Sequence, residues 1–329
     1  MADIVFGLGT SHTPMLNASA RDWLTGFVEL DPKRAHRDKS GHPIAYNDLL
    51  RIADARAAPA LEKSSVDERH ARSQAGLAKL KAALLAAKLD ALIVIGDDQN
   101  ELFGADNLPA VLVYRGASIP NTPRMRGNTT LPPWYAAAMS AFYDDPKRDY
   151  PVAADLANHI VESLTADDFD VATSDKVTGE HGEGHAFAFI HRRLMSDAPI
   201  PVVPIFLNAY YPPNQPTPKR CHALGQAIRR AVQAFPADAR VGVAASGGLS
   251  HFTVDEDLDR EVLRALEAKD AAALTALPVR KLQGGSSEIR NWICAAGALE
   301  GLELAWSDYI PGYRTLAGTG TGIGFALWG

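Results

Sequence analysis

Polar residues with catalytic potential follow several apolar runs in this chain, and their types suggest what they could do. "IVFGLGTSHTP" ends on His12, "ALIVIGDDQNELF" on Asp97, Asp98 and Gln99, "VVPIFLN" on Asn208, and "VGVAASGGLSH" on Ser250 and His251. A fifth segment, "TGEHGEGHAF", surrounds His181 and His185 with Gly179, Gly182 and Gly184. Two histidines and a carboxylate delivered from separate strand ends would form a facial triad, which holds a divalent metal and leaves positions open for substrate and O₂. A further histidine held off the metal could move protons near neutral pH. Each feature also has a plainer explanation. Ser11-His12-Thr13-Pro14 can be a turn with a helix cap. The acidic run Asp255 to Asp259 suits the first turn of a helix, whose dipole favours negative charge. His36, His159, His191 and His222 read as surface or helix residues with no role.

These groups need a frame to hold them. Strand-like runs bounded by Gly, Pro or Asp lie at 4–8, 91–95, 110–114, 202–207 and 241–245, with a last one at 322–327. Amphipathic helical stretches alternate with them, most clearly at 66–89 and in "KRCHALGQAIRRAVQAF". Continuously apolar strands alternating with helices imply an α/β fold: a mostly parallel central sheet flanked by helices on both faces. In such sheets ligands collect at the carboxyl ends of the strands, where the candidate residues fall. Residues 30–65 are polar and rich in small residues, and read as a long excursion or lid after the first strand. No repeat or linker divides the chain, so 1–329 is expected to be one domain.

Composition narrows the partners. The 329 residues are 47% apolar and 22% charged, with a formal charge of −6 and no dense Lys/Arg stripe, which disfavours nucleic acid. No apolar run approaches the roughly 20 residues of a membrane helix, and the opening lacks signal-peptide patterning. Cys221 and Cys294 alone neither staple the chain nor suggest zinc. A cytoplasmic protein acting on a small molecule is expected.

The sequence resembles the class III extradiol ring-cleavage dioxygenases, the superfamily of the catalytic subunit of protocatechuate 4,5-dioxygenase and of gallate dioxygenase. The resemblance is carried by "TSHTP", "EHG", "PVVPIFLNAYYPP", the long block ending "SGGLSH", then "DEDLD" and "GSSEIRNWICAAGALEG". It implies extradiol cleavage of a catechol-type aromatic acid such as protocatechuate, gallate or an O-methylated relative, with Fe(II) as cofactor and O₂ as co-substrate. It also implies a homo-oligomer or pairing with a related subunit. His12 becomes an iron ligand and His181 the acid/base histidine. Asp257 matches the carboxylate ligand, with Glu256 as fallback. Gln99 stands where the family places a second histidine ligand. Three accounts of that departure compete: a metal held by His12, Asp257 and Gln99 or Asp98; a replacement ligand such as His42 or His70; or loss of iron. The retained metal is the reading adopted. His251 shapes the substrate site, and Ser286 and Ser287 match a segment near the substrate carboxylate, although by residue type they read as a helix N-cap with Glu288 in the first turn. Two alternatives remain: a metal-independent hydrolase or isomerase using His12, His181 and Asp97-Asp98 as acid/base groups, and a non-catalytic partner subunit.

Overall fold

The computed structural model describes residues 1–124, 130–177, 182–195 and 198–329. Among them, nine strands form one mixed sheet: β1 (Asp3–Thr10), β2 (Ala91–Asp97), β3 (Val111–Tyr114), β4 (Ala172–Ser174), β5 (Val202–Leu207), β6 (Arg240–Ser246), β7 (His251–Thr253), β8 (Leu304–Tyr313) and β9 (Thr319–Trp328). The order is β7-β9-β1-β6-β2-β5-β3-β4, with β8 paired along the free side of β9. The central four, β1, β6, β2 and β5, run parallel, whereas β9 joins β1 antiparallel and β3 joins β5 antiparallel. β2 and β5 are buried at every residue, as expected of strands covered on both faces.

Alternation along the strands divides the core in two. Ala91, Ile93 and Ile95 of β2 face a cluster built with α2 (Ala154–Ala166), α4 (Pro218–Ala234), α5 (Glu256–Glu267) and α6 (Ile289–Ala298). Leu92 and Val94 face the other way, onto Leu77, Leu80 and Leu84 of α1 (Lys63–Ala86) and Phe187 and Phe189 of α3 (His185–Phe189). The period-2 and period-3.6 patterns thus meet across each face of the sheet. α4 and α6 approach so closely that a Cβ on Gly225 would lie 1.9 Å from the Cys294 carbonyl oxygen. No helix among the described residues is long and apolar enough to cross a membrane.

The α/β architecture and the strand positions agree with the sequence expectation. β8 was not anticipated: Pro311 and Gly312 interrupt its pattern, and an edge strand tolerates both. Within 30–65 lie a small ribbon (His36–Arg37 with Pro43–Ile44) and short helical turns, before α1 begins at Lys63.

The acidic run opens α5 as a cap. The Asp255 side chain accepts the Leu258 N–H, and the buried Asp259 accepts the backbone N–H and hydroxyl of Ser250 and the Tyr309 hydroxyl, each at 2.7 Å. Burial pushes the Asp259 carboxyl up to about 7 from its ordinary 3.8, against the pull of those donors. Between these values the folded chain holds a proton that the unfolded chain has lost, so this group's contribution to stability falls as pH rises through the window. Asn at this position cannot ionise. The unfolding free energy of wild type relative to Asp259→Asn should therefore shrink from about pH 4 to about pH 7 in urea titrations; a difference constant with pH would refute this assignment.

Candidate active site

Six side chains converge beyond the carboxyl ends of the parallel strands. His12 follows β1, on a turn where the Ser11 hydroxyl donates to the Gly322 carbonyl and accepts the Gly324 N–H. Asp97 is the last residue of β2, and Gln99 lies just beyond it. Tyr210 follows β5, His185 opens α3, and Glu288 immediately precedes α6.

Hydrogen bonds determine which imidazole nitrogen is free. The Ser246 hydroxyl donates to the Ala186 carbonyl at 2.6 Å, so it accepts from His12 Nδ1 at 3.1 Å, leaving a lone pair on Nε2. His12 Nε2 is buried and has no hydrogen-bond partner among the described residues. His185 Nδ1 donates to Glu101 Oε2 at 2.7 Å, which turns its Nε2 inward as well. The two rings meet edge to face with centroids 4.5 Å apart, and one ligand atom each from His12, Asp97 and His185 lie within 4.8 Å of one another. Glu288 Oε2 is 3.2 Å from His12 Nε2. Its carboxylate is oriented by the Gly248 N–H at 2.6 Å and the Tyr210 hydroxyl at 2.8 Å. The Gln99 amide nitrogen stands 3.2 Å from Glu288 Oε1, 3.4 Å from Asp97 Oδ2 and 3.4 Å from His185 Nε2.

The electrostatics favour a cation. Burial and the charge of Glu288 push the Asp97 carboxyl up to about 7. Burial would also raise Glu288, but His251, His12 and His185 together hold it below the usual carboxylate range. Burial works against charge on His185, yet Glu101 holds its ring up at about 10. Three buried carboxylates thus face a small number of imidazoles, and positive charge is stabilised between them. Ligand atoms of His12, His185 and Asp97 close around one point, with Glu288 3.2 Å from a His12 Nε2 that has no hydrogen-bond partner among the described residues, and this donor set fits a divalent metal. Glu101 would orient one ligand, as carboxylates behind metal-bound histidines do.

The sequence-derived assignments divide sharply. His12 and Gln99 lie in the cluster, and His251 lines the same cavity, its Nε2 3.5 Å from Glu288 Oε2 and its Nδ1 donating to the Leu249 carbonyl. His181 lies outside the described residues. Asp257 must be corrected: its side chain is 76% exposed and pairs with Arg56 at 3.1 Å, because α5 begins there and turns it to solvent. Glu256 is engaged by Tyr313 and Arg260, and the exposed His42 pairs with Asp38. His70 Nε2–H donates to the Ala18 carbonyl at 3.1 Å, outside the cavity. Asp98 is turned away from the chemistry, accepting the backbone N–H groups of Glu101, Leu102 and Phe103. Ser287 is wholly buried and does not line the cavity.

Other residues were missed by sequence reasoning. Glu288 was read only as a first-turn residue, and His185 only as a neighbour of His181. Glu101 and Tyr210 carried no signal in their spacing. His36 and His191 are buried, His36 lining the cavity and His191 paired with Glu183 at 2.8 Å.

A family described as the catalytic LigB subunit of aromatic ring-opening dioxygenase matches residues 67–324. The chain belongs to this family. It is 32% identical over 168 residues to a gallate dioxygenase of Pseudomonas putida, covering 46% of this chain and 48% of that protein. It is 37% identical over 124 residues to a 2,3-dihydroxyphenylpropionate/2,3-dihydroxicinnamic acid 1,2-dioxygenase of Cupriavidus necator, covering 37% and 38% respectively. The matches thus span about half or less of these curated relatives. A LigB-type family implies a metal and O₂, and the His12, Asp97 and His185 group is a possible place for the ion.

Calorimetric titration with Co(II) tests the ligand set independently of turnover. His12→Ala and Glu288→Ala should abolish tight binding, Glu101→Gln should weaken it about 10- to 100-fold, and Asp257→Ala should leave it unchanged. Loss of binding in Asp257→Ala would restore the acidic turn as the ligand.

Proposed function

We propose that the protein opens the ring of a catechol-type aromatic acid by extradiol cleavage, using Fe(II) held by His12, His185 and Glu288 with Asp97 beside them. The observation that carries this reading is the convergence of His12, His185 and Asp97, with Glu288 3.2 Å from His12 Nε2, at a cavity of about 300 Å³ in a chain of this family. Bound ferrous ion would supply the electronic link between the deprotonated ring and O₂. The chain's own residues supply the rest. Ser246 and Glu101 engage Nδ1 of His12 and His185, which turns the Nε2 atoms of both rings toward the cluster. Tyr210 and the Gly248 N–H fix the Glu288 carboxylate, so no reorganisation is needed when charge develops.

His251 is suited to moving a proton. Its Nδ1–H is committed to Leu249, and its Nε2 is directed toward Glu288 at the cavity. There it takes the proton of a ring hydroxyl and returns one as the ring opens. Glycines make room for it: a Cβ on Gly248 would lie 2.0 Å from the ring's Cε1, and one on Gly285 2.0 Å from the His251 Cβ. In this reading His251 carries a proton transfer that the family resemblance assigns to His181, which lies outside the described residues. The description of the family as a catalytic subunit supports a working oligomer or a partner chain.

Anaerobically purified protein loaded with Fe(II) should consume O₂ with protocatechuate, gallate or their O-methyl relatives and form a ring-opened product identifiable by mass spectrometry. His251→Ala should lower kcat about 10²- to 10⁴-fold while metal affinity stays near wild type. Turnover that persists without metal or O₂ would establish the acid/base alternative, and inertness of the loaded protein toward every such substrate would overturn the enzymatic reading.

A further inference from the structure

The cavity has a second chemical character away from its carboxylates. Arg34, from the segment after the first strand, and Arg314, from the β8–β9 connection, both line it. Arg314 packs its guanidinium over the Phe27 ring at 4.8 Å, and its Nη2 donates to Thr321 Oγ1 at 3.4 Å. Its Nε is buried without a hydrogen-bond partner among the described residues. The carboxylate facing it is Asp31, whose Oδ1 is 3.7 Å from Nη1, beyond hydrogen-bonding distance, and whose Oδ2 already accepts the Thr319 hydroxyl at 2.7 Å. Arg34 stacks over Tyr135 at 5.3 Å and donates to the Tyr135 hydroxyl at 3.2 Å, with no ion-pair partner among the described residues.

Two guanidinium groups, only one of them facing a carboxylate among the described residues, therefore line a cavity that also holds Glu101 and Glu288. A buried guanidinium donor with nothing to bond is costly, and a ligand oxygen removes that cost. The planar fork of arginine matches a carboxylate in a way that a lysine ammonium does not. Thr321 is the register partner of His251 across β7 and β9, so the residue that steadies Arg314 is fixed to the strand that carries the proposed proton carrier.

We infer that Arg314 and Arg34 form the subsite that receives a carboxylate carried by the aromatic ring, and that they set the preference for ring acids over neutral catechols. The inference rests on the ring-cleavage reading for the ligand's identity, but the subsite can be tested without turnover. The probes are 3,4-dihydroxybenzoate and the neutral 4-methylcatechol, titrated anaerobically by calorimetry into wild type, Arg314→Gln, Arg34→Gln and the charge-balanced Arg314→Gln/Asp31→Asn pair. Arg314→Gln should weaken 3,4-dihydroxybenzoate about 10- to 100-fold and leave 4-methylcatechol within about two-fold, and the exposed Arg34→Gln should give a smaller loss of the same selectivity. The double variant, which leaves no buried carboxylate facing a lost cation, should show the same selective loss and guards against misfolding of the single change. Equal losses for both probes, or no loss for the acid, would overturn the subsite. Cleavage of 4-methylcatechol with no arginine-dependent preference sinks the subsite alone; arginine-dependent binding of the acid with no ring opening sinks the reaction alone.

Discussion

Buried negative charge is the constraint around which this molecule is arranged. Asp97, Glu101 and Glu288 are removed from water within reach of His12, His185 and His251, and a cluster of this kind is stable only if each charge is met by donors or cations. The surrounding structure supplies those partners from elements far apart in sequence. Asn291 in α6 donates to Asp97, Tyr210 after β5 donates to Glu288, and Tyr143 and Arg124 donate to Glu101. Two histidines are linked through a single hydroxyl, because Ser246 accepts from His12 and donates to the carbonyl beside His185. The position of one ring therefore cannot change without disturbing the other.

Much of the frame was legible in the chain because apolar alternation is a local signal. β2, β5 and β6 are continuous apolar runs ending in polar residues, and that pattern alone locates the carboxyl edge where His12 and Gln99 lie. The carboxylate partner was harder. Asp255, Glu256, Asp257 and Asp259 form a conspicuous acidic run beside a glycine pair, yet helical geometry distributes them to capping, Tyr313, solvent and Ser250. Glu288 is a lone acid in a short segment, and only the packing of α6 against the sheet carries it beneath His12. Family resemblance matched the block that contains Glu288 but put the carboxylate on Asp257, which the helix turns to solvent, because pattern matching does not register which way a helix turns its side chains.

The cavity is built by two kinds of element. Its floor comes from the ends of parallel strands and the start of α6, where residues are held by sheet register and by a dense hydrogen-bond network. Much of its remaining lining comes from residues 31–36, from Tyr135 and Met139, and from Arg314 between β8 and β9. The proposed metal ligands and the proposed carboxylate subsite thus sit on different parts, as in many α/β proteins whose loops vary over a rigid scaffold.

Ser11 is secured by Gly322 and Gly324, partners 311 and 313 positions away along the chain. Synthesis therefore delivers His12 long before the strand that steadies it. The imidazole has no finished setting until that strand is made and docked. Contacts of such long range also make folding slow, so newly made molecules expose the β1 edge until β9 arrives to cover it.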